Sequence, residues 1–179
     1  MISTESFLSD SKSKSIFITG ATGFFGRSLL DFFIKNVIEF KKISILSRDP
    51  EAFLANWPLY AKIPGLDFIK GDVENFVFNN SHYDYILHFA TPASATMNLK
   101  DPTGMTNVIL NGTRHVLNFA IHCKASHILF TSSGAVYGVQ PTDLSHIPET
   151  YIGDATGSAY GEAKRLAEIM GCEYAAKYN

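Results

Sequence analysis

The sequence is poor in cysteine, has no long apolar run and shows no excess of either charge, and each absence excludes a class of protein. Cys123 and Cys172 are the only cysteines among the 179 residues. They form no Cys-x-x-Cys pair, which predicts a cytoplasmic protein with reduced thiols. Fifteen basic residues against 17 acidic ones give no reason to expect a nucleic-acid partner. The sequence contains no run of about 20 apolar residues, so no membrane span is predicted. It has no apolar N-terminal core, so no signal peptide is predicted.

The remaining composition is that of a folded globular protein. The hydrophobic fraction is 46% and the mean hydropathy is +0.05, with no internal repeat or low-complexity tract, so one domain of ordinary size is expected. The six histidines share no ligand spacing, so we expect no metal site. Residues 1–14, rich in Ser and Lys, are predicted to form a flexible arm, and residues 15–179 to form the domain.

Short β-rich runs alternate along the chain with stretches of helical periodicity. This alternation predicts parallel β-α-β units with right-handed crossovers. The fold class is therefore α/β, a Rossmann-type, doubly wound parallel sheet in a three-layer αβα arrangement. The predicted strands are 16–18, 43–46, 66–69, 85–89 and 128–130. The last helix, from about residue 158 to 178, is expected to bury an apolar stripe made of Leu166, Ile169, Met170 and Tyr174.

A glycine-rich turn separates the first strand from the first helix. Gly20 would allow the tight turn, Gly23 would let the backbone approach a pyrophosphate, and Gly26 would let helix and strand pack closely. Amides at the helix N-terminus favour an anion. Although such turns can be merely structural, this position after the first strand of an α/β chain predicts dinucleotide binding.

The end of the second strand indicates which dinucleotide is bound. An acidic residue there usually binds the ribose of NAD, whereas this chain has Ser47 and Arg48. Asp49 is explained as the N-cap of a helix whose first residue is proline. A guanidinium suits a 2′-phosphate, so NADP is favoured over NAD, with a solvated surface arginine as the alternative. Asp72 could accept from the adenine amino group or belong to a simple turn.

Tyr160 and Lys164 are four residues apart in the last predicted helix and so share one face. An ammonium about 4 Å away could lower the pKa of a phenol from about 10 toward 7. The phenolate could then take a proton while a hydride leaves the same carbon. Ser132 and Ser133 end the fifth strand, at the edge where open α/β sheets bind ligands, and could hydrogen-bond the reacting oxygen. Tyr-x-x-x-Lys alone also occurs by chance, and His88, at the end of the fourth strand, is expected to be structural.

As a set, these motifs resemble the NAD-dependent epimerase/dehydratase family of the extended short-chain dehydrogenase/reductase superfamily, from about residue 15 to 179. The chain is similar to dTDP-glucose 4,6-dehydratases, UDP-sugar 4-epimerases and UDP-glucuronate decarboxylases. The matching motifs are Thr19-Gly20-Ala21-Thr22-Gly23-Phe24-Phe25-Gly26, Gly71-Asp72-Val73, His88-Phe89-Ala90, Gly112-Thr113, Ser132-Ser133-Gly134-Ala135-Val136-Tyr137-Gly138, Tyr160-Gly161-Glu162-Ala163-Lys164 and the decarboxylase-like Ala90-Thr91-Pro92-Ala93-Ser94 and Pro148-Glu149-Thr150-Tyr151.

The resemblance implies an enzyme that oxidises a hydroxyl of a nucleotide sugar to a keto sugar, or the reverse. Tyr160 would be the base, Lys164 would bind the nicotinamide ribose, and Ser133 would orient the substrate hydroxyl. Ser94 would also contact substrate, and a homodimer through the helix that carries Tyr160 and the helix after the fourth strand is implied. The implied cofactor contacts are Gly20, Thr22, Gly23, Phe24, Phe25, Gly26, Ser47, Arg48, Asp72, Val73, Phe89, Ala90, Thr91, Ser132, Tyr160 and Lys164.

Departures from the family pattern bear on the reaction type. The 4,6-dehydratases carry Asp-Glu where this chain has Gly134 and Ala135, and decarboxylases keep the glutamate. Neither residue here transfers protons, so an epimerase or a keto-sugar reductase is favoured. Ile109 replaces an asparagine of the family, which removes one expected substrate or loop contact.

Chain length is the last consideration, because members of this family run to on the order of 300 residues. We therefore expect this chain to be the N-terminal cofactor part of a longer enzyme that lacks the C-terminal substrate-binding part and turns over little substrate alone. The alternative is a non-catalytic module that binds or senses a dinucleotide.

Overall fold

The computed structural model describes residues 11–92 and 95–178. They fall into two compact units. The first comprises the described residues up to Ala90 together with Asn118–Phe130, and the second comprises Thr91–Leu117 and the described residues from Thr131 onward. Among the described residues, none of the helices combines the length and the apolarity needed to cross a bilayer.

The first unit contains a five-stranded, all-parallel sheet. Its order is β3-β2-β1-β4-β5, and each neighbouring pair runs parallel. The five predicted strands are confirmed, and each strand end lies within one residue of its predicted position. Their bounds are β1 Ser15–Thr19, β2 Lys42–Ser47, β3 Leu66–Lys70, β4 Tyr85–His88 and β5 His127–Phe130.

Helices follow the first two strands, as right-handed parallel crossovers require. Helix α1 (Phe24–Lys35) follows β1, and helix α2 (Pro50–Asn56) follows β2 and continues into a 3-10 helix, Pro58–Lys62. The Asp49 carboxylate accepts a hydrogen bond of 2.9 Å from the Ala52 amide at the start of α2, so the predicted N-cap is confirmed. Of the predicted arm, residues 1–10 lie outside the described part, and Ser11–Ser13 form a 3-10 helix.

Both faces of the sheet are covered at its central strands β1 and β2, as expected for a doubly wound fold. On one face, Ile18 and Ile45 are fully buried in a cluster that includes Leu30 of α1. On the other face, the ring of Phe17 lies 4.7 Å from that of Phe119 and 5.4 Å from that of Tyr83. These contacts give the sheet the apolar environment that its hydrophobic strands require.

The second unit is helical among its described residues. It contains α3 (Ala95–Lys100), α4 (Pro102–His122, of which the residues from Asn118 belong to the first unit), a 3-10 helix Gly134–Tyr137, and α5 (Ala159–Tyr178). The helical periodicity of this segment places Met105, Ile109, Val116 and Leu117 on one side of α4, and all four are buried.

The predicted apolar stripe of α5 is wrong. Leu166 and Ile169 are each 50% exposed, whereas the buried face consists of Gly161, Ala163, Lys164 and Ala167. This face packs on the 3-10 helix Gly134–Tyr137, where small side chains permit a close approach that leucine and isoleucine would prevent. Periodicity alone favoured the larger side chains because it carries no information about the partner surface.

Candidate cofactor and catalytic site

The carboxyl ends of β1 and β4 form the topological switch point of the sheet. From β1 the chain passes to β2 and β3 on one side, and then to β4 and β5 on the other. Thr19, the last residue of β1, pairs with His88, the last residue of β4. Open α/β sheets bind their ligands in the crevice at such a switch point, and this one is followed by the glycine turn on one strand and by Phe89 and Ala90 on the other.

The glycine turn is built by close backbone contacts. Gly20 has φ +71°, and a Cβ placed on it would lie 2.5 Å from the backbone nitrogen of Ala90. A Cβ on Gly26 would lie 2.2 Å from the Cα of Ala21. Both separations are far below van der Waals contact, so the turn in this form requires glycine at both positions.

The turn ends at the N-terminus of α1, where backbone amides are available to an anion. Gly23 is the N-cap and provides no side-chain hydrogen bond, and its own amide donates to the carbonyl of Gly20 at 3.0 Å. The following amides, in the first turn of α1, have no carbonyl within the helix to accept from them. Phe24 and Phe25 are 73% and 67% exposed. This arrangement fits the pyrophosphate of a dinucleotide.

A buried hydrogen-bond network holds the two strand ends together. The Thr19 hydroxyl lies 2.7 Å from Nδ1 of His88 and accepts from the amide of Ala90 at 3.2 Å. Thr19 is fully buried, and His88 is 3% exposed. His88 is therefore structural, as expected. The part of Thr19 in fixing Ala90 beside the turn was missed, since the two residues are 71 positions apart in sequence.

Among the described residues, the end of β2 presents the exposed Arg48 and two side chains that are held by hydrogen bonds. The Ser47 hydroxyl accepts from the amide of Asp49 at 3.2 Å, and Asp49 is occupied by its cap. Arg48 is exposed. The carbonyl of Ser47 accepts from the amide of Gly71 at 3.0 Å, which places the predicted adenine contact Asp72 nearby. The carboxylate of Asp72 accepts from the Glu74 amide at 3.0 Å, so it forms the turn that the sequence left as an alternative.

In the second unit, Lys164 is almost completely buried, with 2% exposure. Its ammonium donates to the carbonyl of Thr131, immediately after β5, at 2.9 Å. Burial lowers the pKa of Lys164 from 10.5 to about 8, and the nearby carboxylate of Glu168 partly opposes this effect. Tyr160 lies one turn earlier, at the start of α5. The side chain of Asn98 caps this end of the helix by accepting from the amide of Tyr160 at 3.1 Å.

The two serines after β5 have different partners. The Ser132 hydroxyl donates to the carboxylate of Glu168. The Ser133 oxygen accepts from the amide of Ala135 at 3.2 Å and caps the 3-10 helix Gly134–Tyr137. Because a hydroxyl can accept and donate at once, the proton of Ser133 remains available to a ligand oxygen.

The sequence of the chain matches one family model from residue 16 to residue 179, described as the NAD dependent epimerase/dehydratase family. The chain belongs to this family. A similar curated relative is the UDP-glucose 4-epimerase of Rickettsia rickettsii, 33% identical over 138 residues, which are 74% of this chain and 40% of the relative. The chain thus spans less than half the length of the curated relatives it matches.

Solved structures of similar fold support the same architecture. The UDP-N-acetylglucosamine 4-epimerase of Methanobrevibacter ruminantium, in complex with UDP-N-acetylmuramic acid, has a TM-score of 0.79 at 22% identity, over 93% of this chain and 52% of that one. A dTDP-glucose 4,6-dehydratase of Streptomyces venezuelae with NAD bound has a TM-score of 0.78 at 20% identity, over 92% of this chain and 52% of that one. The Rossmann-type fold is therefore shown.

Other residues predicted from the family resemblance have separate outcomes. Ser94 lies outside the described residues. Thr22 is exposed and Val73 half-buried. The Thr91 hydroxyl is buried without a hydrogen-bond partner among the described residues, which fits a residue that completes its hydrogen bonding with a bound cofactor.

Within residues 11–92 and 95–178, no group of three or more His, Cys, Asp or Glu side chains is arranged to hold an ion. Tyr160, Lys164 and Ser133 carry a phenol, an ammonium and a hydroxyl, respectively.

Proposed function

We propose that this chain carries the cofactor turn and the catalytic side chains of a nucleotide-sugar enzyme that oxidises a sugar hydroxyl to a keto sugar, or catalyses the reverse. The observation that carries the proposal is the buried Lys164. Burial of an ammonium carries a large desolvation cost unless the charge is paired and hydrogen-bonded. Lys164 lies one helical turn from Tyr160, and its ammonium donates to the carbonyl of the residue that precedes Ser132 and Ser133.

Each side chain has a defined role in this reaction. Tyr160 removes the proton of the sugar hydroxyl, and the field of Lys164 favours the phenolate. With a pKa of about 8, Lys164 is mostly charged at neutral pH. Ser133 donates its proton to the reacting oxygen and fixes its position. When bound, a nicotinamide dinucleotide supplies the hydride acceptor, and the first turn of α1 holds its pyrophosphate.

Epimerase or keto-sugar reductase chemistry is favoured over dehydration or decarboxylation. After Ser133 the chain continues with Gly134 and Ala135, neither of which can donate or accept a proton. A dehydratase needs an acid for the leaving oxygen, whereas an epimerase returns the hydride to the same carbon. The absence of ionisable groups at these two positions supports the simpler pair of reactions.

The experiment uses stoichiometric enzyme so that a single turnover is visible. The chain is titrated with NAD+ and NADP+ by fluorescence and then mixed with a panel of UDP-, dTDP- and GDP-sugars, and reduced nicotinamide is followed by absorbance. We expect dinucleotide binding in both wild type and Tyr160→Phe, and hydride transfer in wild type alone. Binding without transfer from any sugar, when the chain is supplied with the C-terminal part of a family member, would instead favour a non-catalytic dinucleotide-binding module.

We also propose NADP as the preferred cofactor, because Arg48 is exposed at the ribose end of β2 while Asp49 is committed to its cap. Replacement of Arg48 by alanine is expected to weaken NADP+ binding about 10-fold, the loss of one charge-assisted contact. NAD+ affinity should change less than about twofold. Fluorescence titration of both dinucleotides provides the measurement.

Two control variants accompany Arg48→Ala. Lys41→Ala removes an exposed cation at the opposite end of β2 and should leave both affinities unchanged. Asp49→Ala should cost about 1 kcal/mol of stability through the lost cap without changing cofactor preference. An unchanged NADP+ affinity in Arg48→Ala, or a selective loss of NAD+ binding in Asp49→Ala, would contradict the NADP assignment.

We further propose a cytoplasmic homodimer. Leu166 and Ile169 support it, since both are half-exposed apolar side chains on α5 and are candidates for burial against a second copy. Sedimentation equilibrium of wild type and Ile169→Glu is expected to show a dimer and a monomer, respectively. A monomeric wild type would refute the proposal.

A further inference from the structure

Helix α5 carries a third polar side chain in line with the two that the proposed function uses. Tyr160, Lys164 and Glu168 are spaced by four residues and so lie on one helical face. Lys164 bonds the carbonyl of Thr131, and Glu168 accepts from the hydroxyl of Ser132. Two consecutive turns of α5 are thus hydrogen-bonded to Thr131 and Ser132, the two residues that follow β5.

The carboxylate of Glu168 acts on the charge of Lys164 from one helical turn away. Burial opposes the charge of the ammonium, and the carboxylate of Glu168 favours it. The guanidinium of the neighbouring Arg165 donates to the carbonyls of Gly153 and Ile152. A carboxylate at i+4 from a buried ammonium is the arrangement that offsets part of its desolvation.

Other ionisable groups also face this region and define what else could act on Lys164. A cavity of about 400 Å³ is lined by Glu168 and Arg165 together with Tyr137, Glu149 and Tyr151. Glu168 lies one helical turn from Lys164 on the same face of α5, and its carboxylate favours the charged ammonium. Glu149 is exposed, so water screens its charge more strongly.

We propose that Glu168 is a positioning residue for Lys164. The charge of Glu168 and its hydrogen bond with Ser132 hold the ammonium in its charged form at the end of β5. The inference rests on the proposed function for its catalytic consequence. By engaging the Ser132 hydroxyl, Glu168 also leaves Ser133 as the serine that can reach a substrate. Without the carboxylate, Lys164 loses its proton at lower pH and ceases to favour the phenolate of Tyr160.

The test is a titration of Lys164 itself. The chain is labelled with 13C at lysine Cε, the Lys164 resonance is assigned with Lys164→Arg, and its shift is followed with pH. The wild-type midpoint is expected near 8. In Glu168→Gln, which keeps the shape of the side chain and removes its charge, the midpoint should fall by about one pH unit or more. An unchanged midpoint with an unchanged melting temperature would overturn the proposal.

Three further variants separate charge from structure. Glu173→Gln removes an exposed carboxylate of the same helix and should leave the midpoint unchanged, whereas Glu168→Asp should restore most of the wild-type value. Ser132→Ala keeps the carboxylate but frees it, so the midpoint should fall by a few tenths of a unit. If Glu168→Gln does not fold, Ser132→Ala decides, and a wild-type midpoint there overturns the proposal. Since the titration needs neither cofactor nor sugar, its outcome is independent of whether hydride transfer is found.

Discussion

Replacing Gly20 by alanine is expected to destabilise the protein by about 3 kcal/mol and to abolish detectable dinucleotide binding. The positive φ costs an L-residue about 1–2 kcal/mol. The added Cβ would also lie 2.5 Å from the backbone nitrogen of Ala90, and overpacking of this kind costs about 1–3 kcal/mol. Since the clash is with backbone, it is relieved only by moving the turn, and with it the amides at the start of α1.

The matched control is Gly157→Ala. Gly157 also has a positive φ, +84°, but a Cβ there would meet nothing within 4 Å. It therefore isolates the conformational cost, and we expect a loss of about 1 kcal/mol with no effect on dinucleotide affinity. Urea unfolding and fluorescence titration measure the two effects. Equal losses of stability in the two variants would show that the approach of Ala90 is not what requires glycine.

The second large effect concerns Lys164 and pH. Because its pKa is lowered to about 8 in the folded state, the unfolded chain binds more protons between about pH 8 and 10.5. The free energy of unfolding contributed by this group therefore rises with pH across that window. A full shift of this size corresponds to about 3 kcal/mol. Below pH 8 the group is charged in both states, and the folded state bears the whole cost of burial.

The measurement compares wild type with Lys164→Met by urea unfolding from pH 7 to pH 10. Wild type is expected to gain about 2.5 kcal/mol relative to the variant over this range, because the groups that titrate in both proteins cancel in the difference. Lys100→Met, which removes an exposed lysine of α3, should show no such gain. A pH-independent difference between wild type and Lys164→Met would mean that the ammonium is not desolvated in the folded protein.

The sheet and its glycine turn could be predicted from the sequence because their signals are local. The hydrophobic run of β1 ends directly at Gly20, and the spacing to Gly26 follows from a single turn of backbone. The cap at Asp49 is equally local, since the amide of Ala52 that it accepts from lies three residues away. In each case the physical cause and its effect lie within one short segment.

The anchoring of α5 could not be predicted because its causes lie far apart in sequence. Lys164 meets a carbonyl 33 residues earlier, and Glu168 meets Ser132 across 36 residues. The prediction of the buried face of α5 was wrong for the same reason, since the partner surface decides which side of a helix packs. The sequence spacing and the family resemblance drew attention to Tyr160, Lys164 and Ser133, but neither contained a signal for Glu168 or for the cap from Asn98.

The exposed pair Phe24 and Phe25 has a calorimetric consequence. Their rings lie edge to face at 5.5 Å, on the same helical turn whose amides are open to an anion. Any dinucleotide that rests there covers apolar surface while it engages polar groups. Its association should therefore carry a negative heat-capacity change, so that the heat released on binding increases with temperature.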